Sequence, residues 1–397
     1  FNIHEIGERL VFREEENPQA KLMAFARNDK LFTDGADRQH LAKEIRYVIG
    51  GAEDVNPMYR TVVLPRGWLT DPWSEVPEDD RPERWGDGKI PFLILPEDPD
   101  RLDECLGRWL REKLQTRRNT PRFILPRQGV KNLFNERELI VLARATMKAN
   151  EWKAQNSEFE RLHKKFQGEL RSILKVRFNR FAVLDIWCYP DPTRCRFSVE
   201  SHSAEGAKIP DAIEKKIKDD LFIPEDFEKD ALAVAANNDS VGKFLRELQE
   251  PRPNEEHCIP WLGETFAKER LLRICSMGKI ALVVRGMNTL QARPGEDADA
   301  AWIRMKGQLG IGKHLDETII QLPAPSPAAA GVGAVQPPSN PNIATVVSEG
   351  AGVYNPPNTG GGGGIFVPPL QPPTHKEPAT GGLFDPPKEA VLSHHAA

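Results

Sequence analysis

The chain has 397 residues, with 54 Lys and Arg against 58 Asp and Glu and a formal net charge of −4. That length allows two domains and a tail, and the charge balance gives no global pull toward nucleic acid or acidic membranes, so any such contact must be local. Mean hydropathy is −0.50, and no apolar run approaches the roughly 18 residues of a membrane-spanning helix.

The chain opens Phe1-Asn2-Ile3-His4, without Met and without a basic-then-apolar leader, and so reads as a fragment cut from a longer protein. An extended run through Leu10-Val11-Phe12 comes first. Asn17 can cap a helix that Pro18 begins, with Leu22, Met23 and Phe25 toward a core. A second helix over Ala36–Val48 stops near Gly50-Gly51. Strands are predicted at 60–65 and at 91–95. Between them lies a proline-rich excursion carrying Trp68, Trp73 and Trp85. Long ordered loops often serve function, but packing of the indoles is the favoured account here.

Leu102, Cys105, Leu106, Trp109, Leu110 and Leu114 mark one face of a helix. Then comes the stretch that organises the fold, Arg117 to Arg127, where Phe123-Ile124-Leu125 lies between prolines and arginines. It is too short for a helix and reads as a buried strand. Asn135 and Glu138 form a capping-box pattern at the head of a helix from Glu136. Apolar positions from Phe159 to Ile173 continue it into one long helix over 136–178. Its outer face is basic (Arg161, Lys164, Lys165, Arg171, Lys175, Arg177, Arg180), ordinarily a solvated surface. The order strand, strand, helix, strand, helix predicts an α/β fold with a partial parallel sheet and flanking helices.

Residues 181–187 and 196–200 form a predicted strand pair joined by Tyr189-Pro190-Asp191-Pro192. Helices fill 209–250, and Pro251–Asn254 is a break. Residues 257–322 form a small α+β unit compatible with a winged helix: a helix over Glu264–Ser276, a strand at 280–284, a helix through Trp302 and Met305, and a strand at 318–322. The expected divisions are therefore 1–135, 136–250, 257–322 and 323–397. The last is rich in Pro and Gly, includes five consecutive glycines from Gly360, and is predicted to be a disordered linker.

Several motifs bear on chemistry. Gly307 to Lys313 has the G-x-x-x-x-G-K spacing of a phosphate loop, but His314 replaces the Ser or Thr that holds magnesium. A helix rather than a strand precedes it, so a glycine-rich turn is the better account. Cys188, Cys195, His257 and Cys258 lack zinc-ligand spacing, and no metal site is predicted. Five scattered cysteines suggest reduced thiols in a cytoplasm. In parallel sheets ligands gather at the carboxyl ends of strands, which places Arg66, Glu97 and Arg127 on the functional edge and Arg117, Arg118 and Asn119 at the opposite one. Arg127 can meet a phosphate bidentately; a salt bridge is the alternative. A basic cluster in 257–322 (Arg270, Arg273, Lys279, Arg285, Arg304, Lys306, Lys313) suggests phosphate contacts.

Certain phrases carry a resemblance: Glu15-Glu16-Asn17-Pro18, Ala26 to Phe32, Arg118 to Arg127, Ala143-Arg144-Ala145, Glu151-Trp152-Lys153, and the Gly307–Thr318 run. They resemble the large bacterial ATP-binding proteins of uncharacterised (DUF) type that accompany phage-defence and DNA-modification loci, a broad group that includes the PglY-like ATPases. The resemblance covers roughly residues 1–322, and the Pro/Gly tract is similar to the linker those proteins carry before a further domain. It implies an ATPase parent whose Walker motifs lie upstream of Phe1, with ATP and magnesium as the parent's cofactors and none evident in this chain. It also implies a cytoplasmic location, DNA and other defence-system proteins as partners, a possible oligomer, and no autonomous ATP hydrolysis. No individual residue role carries over. The alternative function is a non-enzymatic nucleic-acid-binding or scaffold module built on 257–322, whose affinity would fall steeply with salt.

Overall fold

A five-stranded mixed sheet organises the described part of the chain. The computed structural model describes residues 2–6, 9–13, 17–51, 58–253, 256–284 and 289–323; the predicted linker from residue 324 onward lies outside them. The sheet runs in the order β3 (Tyr59–Val63), β4 (Ile90–Ile94), β5 (Arg122–Pro126), β6 (Phe178–Ile186), β7 (Arg196–Ser201). β3, β4 and β5 are parallel, as expected, while β6 and β7 join antiparallel. A separate hairpin pairs β1 (Asn2–Ile6) with β2 (Arg9–Arg13).

Every residue of β4 and β5 is buried, as expected for parallel strands covered on both faces. Alternation sends Phe92, Ile94 and Ile124 into one core and Leu93, Leu95, Phe123 and Leu125 into another. The first core packs against α1 (Pro18–Ala26), α2 (Ala36–Gly50), α4 (Arg137–Trp152) and α5 (Ser157–Lys175). The second lies beneath α3 (Leu102–Lys113) and the 64–89 excursion. There Trp68 and Trp85 are buried, and Trp109 of α3 sits 5.7 Å from both Trp73 and Phe123. The tryptophans pack, as favoured from the sequence.

The start of α1 follows its sequence signal: Asn17 accepts hydrogen bonds from the amides of Gln19 and Ala20. The end of α2 does so too, at Gly51, whose φ of +83° favours glycine. Two other expectations are corrected. The single long helix over 136–178 is a pair, α4 and α5, separated at residues 153–156, where Asn156 caps α5 by accepting from the Glu158 amide at 2.9 Å. The turn lets both apolar stripes pack on each other, with Phe159 5.2 Å from Trp152. The capping box also fails. Asn135 ends a 3-10 turn over Leu133–Asn135, which Asn132 caps, and Glu136 pairs with Arg177 at 2.8 Å instead of capping α4. With the N-cap at Glu136 rather than Asn135, Glu138 falls one position short of where a capping-box acid sits.

The remaining elements are α6 (Ile209–Lys216), α7 (Pro224–Asn237), α8 (Val241–Glu247), α9 (Glu264–Ser276), β8 (Ala281–Val284), α10 (Ala298–Met305), α11 (Lys313–Glu317) and β9 (Thr318–Gln321). β8 and β9 pair antiparallel, and the amide of Ile320 donates to Asp239 O at 2.9 Å, so β9 is tied to the segment joining α7 and α8. The expected boundary near 257 is crossed again by a bridge between Ile186 and His257.

Two histidines are half-buried. His40 of α2 faces Glu44, Lys43, His163 and Arg171, and His202 follows β7; burial pushes both below the ordinary 6.5. Unfolded histidines titrate near 6.5 and take up protons that the folded chain resists, so stability is complete above that pH. It is lost as pH falls from 6.5 through the lower folded values. The midpoint of urea unfolding should therefore be lower at pH 5.5 than at 7.5, and replacing both residues by Gln should shrink the difference. An equal difference in the double variant would refute this assignment.

Candidate nucleotide-binding edge

The carboxyl ends of the three parallel strands form one continuous structure. β5 exits through a turn over Arg127–Val130, closed by the Val130 amide on Arg127 O at 3.1 Å, with Gly129 at φ +77°. Asp98, just past β4, clamps this turn. One carboxylate oxygen accepts from the Gly129 amide at 2.8 Å, the other pairs with Arg180 of β6 at 2.5 Å, and the Asp98 amide donates to Val130 O. Asn132 donates to Arg66 O at 3.1 Å and so ties the β5 turn to the end of β3. With strands about 4.8 Å apart, the turns after β3 and β5 lie roughly 10 Å apart across β4.

This edge carries the predicted residues Arg66 and Arg127. Both are exposed, and neither side chain forms an ion pair among the described residues. The salt bridge considered for Arg127 is absent there. Glu97 is half-buried and accepts from the Trp68 indole at 2.9 Å. The sequence reading missed Asp98 and Asn132, because what assigns them is the turn's hydrogen bonding rather than any spacing, and it missed the exposed Lys131 between the turn and Asn132.

A cavity of about 500 Å³ abuts the same end of β3, lined by Val63 and Pro65, by Lys43 and Arg46 of α2, by Arg81, and by Phe134. Asp80 is held there by Arg46 at 2.6 Å and Arg60 at 3.4 Å. Arg81 donates to Val76 O at 3.0 Å and so braces the excursion loop. The cavity wall carries Lys43, Arg46 and Arg81 together with Glu75, Glu78 and Asp80, and the adjoining edge carries two arginines without an ion pair among the described residues. The two edge arginines, rather than the charge-balanced cavity, are what suit an anion with several acceptor oxygens.

The basic cluster of 257–322 is largely neutralised. Arg273 pairs with Asp299 at 2.7 Å, Arg304 with Glu296 at 2.6 Å, and Lys279 with Glu228. The Arg304 guanidinium holds the Glu296 carboxyl down to about 2. The Arg270 guanidinium lies 5.5 Å from the Phe222 ring centre, and Lys306 and Lys313 are exposed. Arg285 lies outside the described residues. On α5 the basic face meets carboxylates as well, Arg161 with Glu158 and Arg171 with Glu44.

The Gly307–Lys313 motif follows α10 and opens the five-residue α11, and Lys268 donates to Gly310 O at 2.9 Å. The turn offers a carbonyl to a cation rather than amides to a phosphate. Cys188, Cys195 and Cys258 are buried, and none is in a disulfide. Burial pushes the Cys258 thiol up to about 11. Among the described residues, no three His, Cys, Asp or Glu side chains converge to hold a metal ion, and no helix is long and apolar enough to cross a membrane. No protein-family model matches the chain, nor does any curated protein or solved structure.

Proposed function

We propose that this chain is the nucleotide-responsive part of a larger cytoplasmic ATP-binding protein of phage-defence type, coupling a bound nucleotide to DNA or to protein partners. The observation that carries the reading is the presence of Arg66 and Arg127, neither in an ion pair among the described residues, on the carboxyl edge of parallel strands beside a cavity. That is where open α/β sheets hold ligands, and guanidinium groups match phosphate oxygens in geometry and charge. The phrase-level resemblance to ATP-binding defence proteins supports the choice of a nucleotide over other anions. The two arginines would meet the phosphates and Asn132 would hold their turns in register. The donor set described above does not fit magnesium, so no step is routed through a metal, and hydrolysis is assigned to the parent rather than to this chain.

Titration of the chain with ATP, followed by calorimetry, should show saturable binding. Arg66→Ala and Arg127→Ala should each weaken it by about tenfold, the loss of one charge-assisted contact of roughly 1.5 kcal/mol or more. Neither residue carries an ion pair among the described residues, so folding stability should be unchanged. Absence of binding, or affinity unchanged in both variants, would remove the proposal.

A further inference from the structure

The arginine edge carries a third cation between its two arginines, and the backbone fixes their order. The β5 turn spans Arg127–Val130, Lys131 follows it directly, and Asn132 donates to Arg66 O at 3.1 Å. Lys131 therefore lies in the stretch that joins the Arg127 turn to the Arg66 turn, and those turns stand roughly 10 Å apart across β4. All three side chains are exposed, and none forms an ion pair among the described residues.

The carboxylates beside these turns do not cancel that charge. Asp98 meets Arg180 at 2.5 Å and the Gly129 amide at 2.8 Å, and Glu136 meets Arg177 at 2.8 Å. Glu97, half-buried, accepts from the Trp68 indole at 2.9 Å and offsets part of it. In the adjoining cavity Lys43, Arg46 and Arg81 face Glu75, Glu78 and Asp80, so its charges balance. The uncompensated cations at this end of the sheet are thus strung along a line, not gathered at a point.

A monophosphate is too small to meet groups on both turns at once. A run of linked phosphates can lie along the edge with a different phosphate at each cation, the arginines offering paired N–H donors and the lysine a point charge. A base finds no matching platform. Trp68, Phe134 and Phe178 adjoin the turns, and at 1%, 3% and 3% exposure they present no ring face for stacking.

We propose that Arg127, Lys131 and Arg66, in that order, form a site for a chain of linked phosphates, which selects a triphosphate over a monophosphate and does not read the base. The choice of edge rests on the nucleotide reading above; Lys131 and the ligand class, a nucleoside triphosphate of any base or inorganic tripolyphosphate, are what it adds.

Calorimetric titrations of the full chain in magnesium-free buffer, with ATP, GTP, AMP and inorganic tripolyphosphate, test it. The three triphosphates should bind within about threefold of one another, and AMP about tenfold or more weakly, since its single phosphate forgoes at least one charge-assisted contact. Lys131→Ala should weaken the three triphosphates about tenfold and narrow their lead over AMP, while Lys131→Arg, which keeps the charge, should retain them. Lys208→Ala removes an exposed lysine just before α6, controls for overall charge, and should leave every affinity unchanged. Equal affinity for ATP and AMP, ATP about tenfold tighter than GTP or tripolyphosphate, or equal losses in Lys131→Ala and Lys208→Ala would overturn the proposal and leave nucleotide binding in place. Binding of tripolyphosphate without ATP would remove the nucleotide reading and leave the phosphate-chain site standing. Binding of none of the four would remove both.

Discussion

Glu214→Ala should destabilise the chain by about 3–5 kcal/mol, the cost of leaving one member of a buried ion pair alone. Its partner, Arg122, opens β5 and is completely buried. The guanidinium pairs with Glu214 of α6 at 2.7 Å, and also donates to Thr120 O at 3.1 Å and to Trp261 O. One side chain thereby ties the central strand to α6 and to the segment preceding α9. Without Glu214 the two carbonyls remain, but the charge has no counterion in a medium where solvation is poor. Urea unfolding followed by far-UV circular dichroism would read the loss as a lower midpoint at constant slope. The paired replacement Arg122→Met with Glu214→Leu should recover most of it, because apolar groups of similar volume need no desolvation. A Glu214→Ala variant within about 1 kcal/mol of the parent chain would show that water reaches the guanidinium and screens it.

Trp109→Ala should cost a comparable amount, about 3–5 kcal/mol from the lost apolar contact and the cavity left behind. Trp109 is 2% exposed and lies 6.4 Å from Trp68 and 5.7 Å from both Trp73 and Phe123. Its indole N–H donates to Trp68 O at 2.9 Å. It therefore fastens the 64–89 excursion, which has no α-helix or strand of its own, onto the sheet. Hydrogen exchange should report the site of damage: protection lost across 64–89 in Trp109→Ala and largely kept across α4 and α5. Trp109→Phe should retain much of the packing and lose mainly the hydrogen bond. Uniform loss of protection over the whole chain would mean that the excursion is not a separately anchored unit.

The cavity beside β3 depends on that anchoring, since Arg81 and Asp80 belong to the same excursion. Weaker nucleotide binding in Trp109→Ala would thus arise from loss of the wall rather than of the arginines. Comparison with Arg66→Ala, where the fold is untouched, separates the two.

Local chemistry accounts for what could be read from the residues alone. Short apolar runs between prolines and arginines become β3, β4 and β5, because a segment too short for a helix and buried on both faces has only that solution. Asn17 and Pro18 start α1, Gly51 stops α2, and the alternation of strands and helices implies the parallel order that puts Arg66 and Arg127 on one edge. These signals act over a few residues and survive into the fold.

Pairing over distance was decided only by the tertiary structure. Arg122 meets Glu214 92 positions away, and Arg144 meets Asp37 107 positions away; no periodicity encodes such partners. The basic residues of 257–322 form a cluster in sequence but not an open cationic surface, since folding brings Asp299, Glu228 and Glu296 to them. Packing of the two apolar stripes turned the expected long helix at 153–156, and α4 begins one residue later than the Asn135 signal implied. Folding also buried Asn119, an unremarkable residue on the edge opposite the arginines, against the carbonyls of Leu248 and Ile259. Propensity and spacing set which elements form; which charges remain uncompensated depends on the faces that folding brings together.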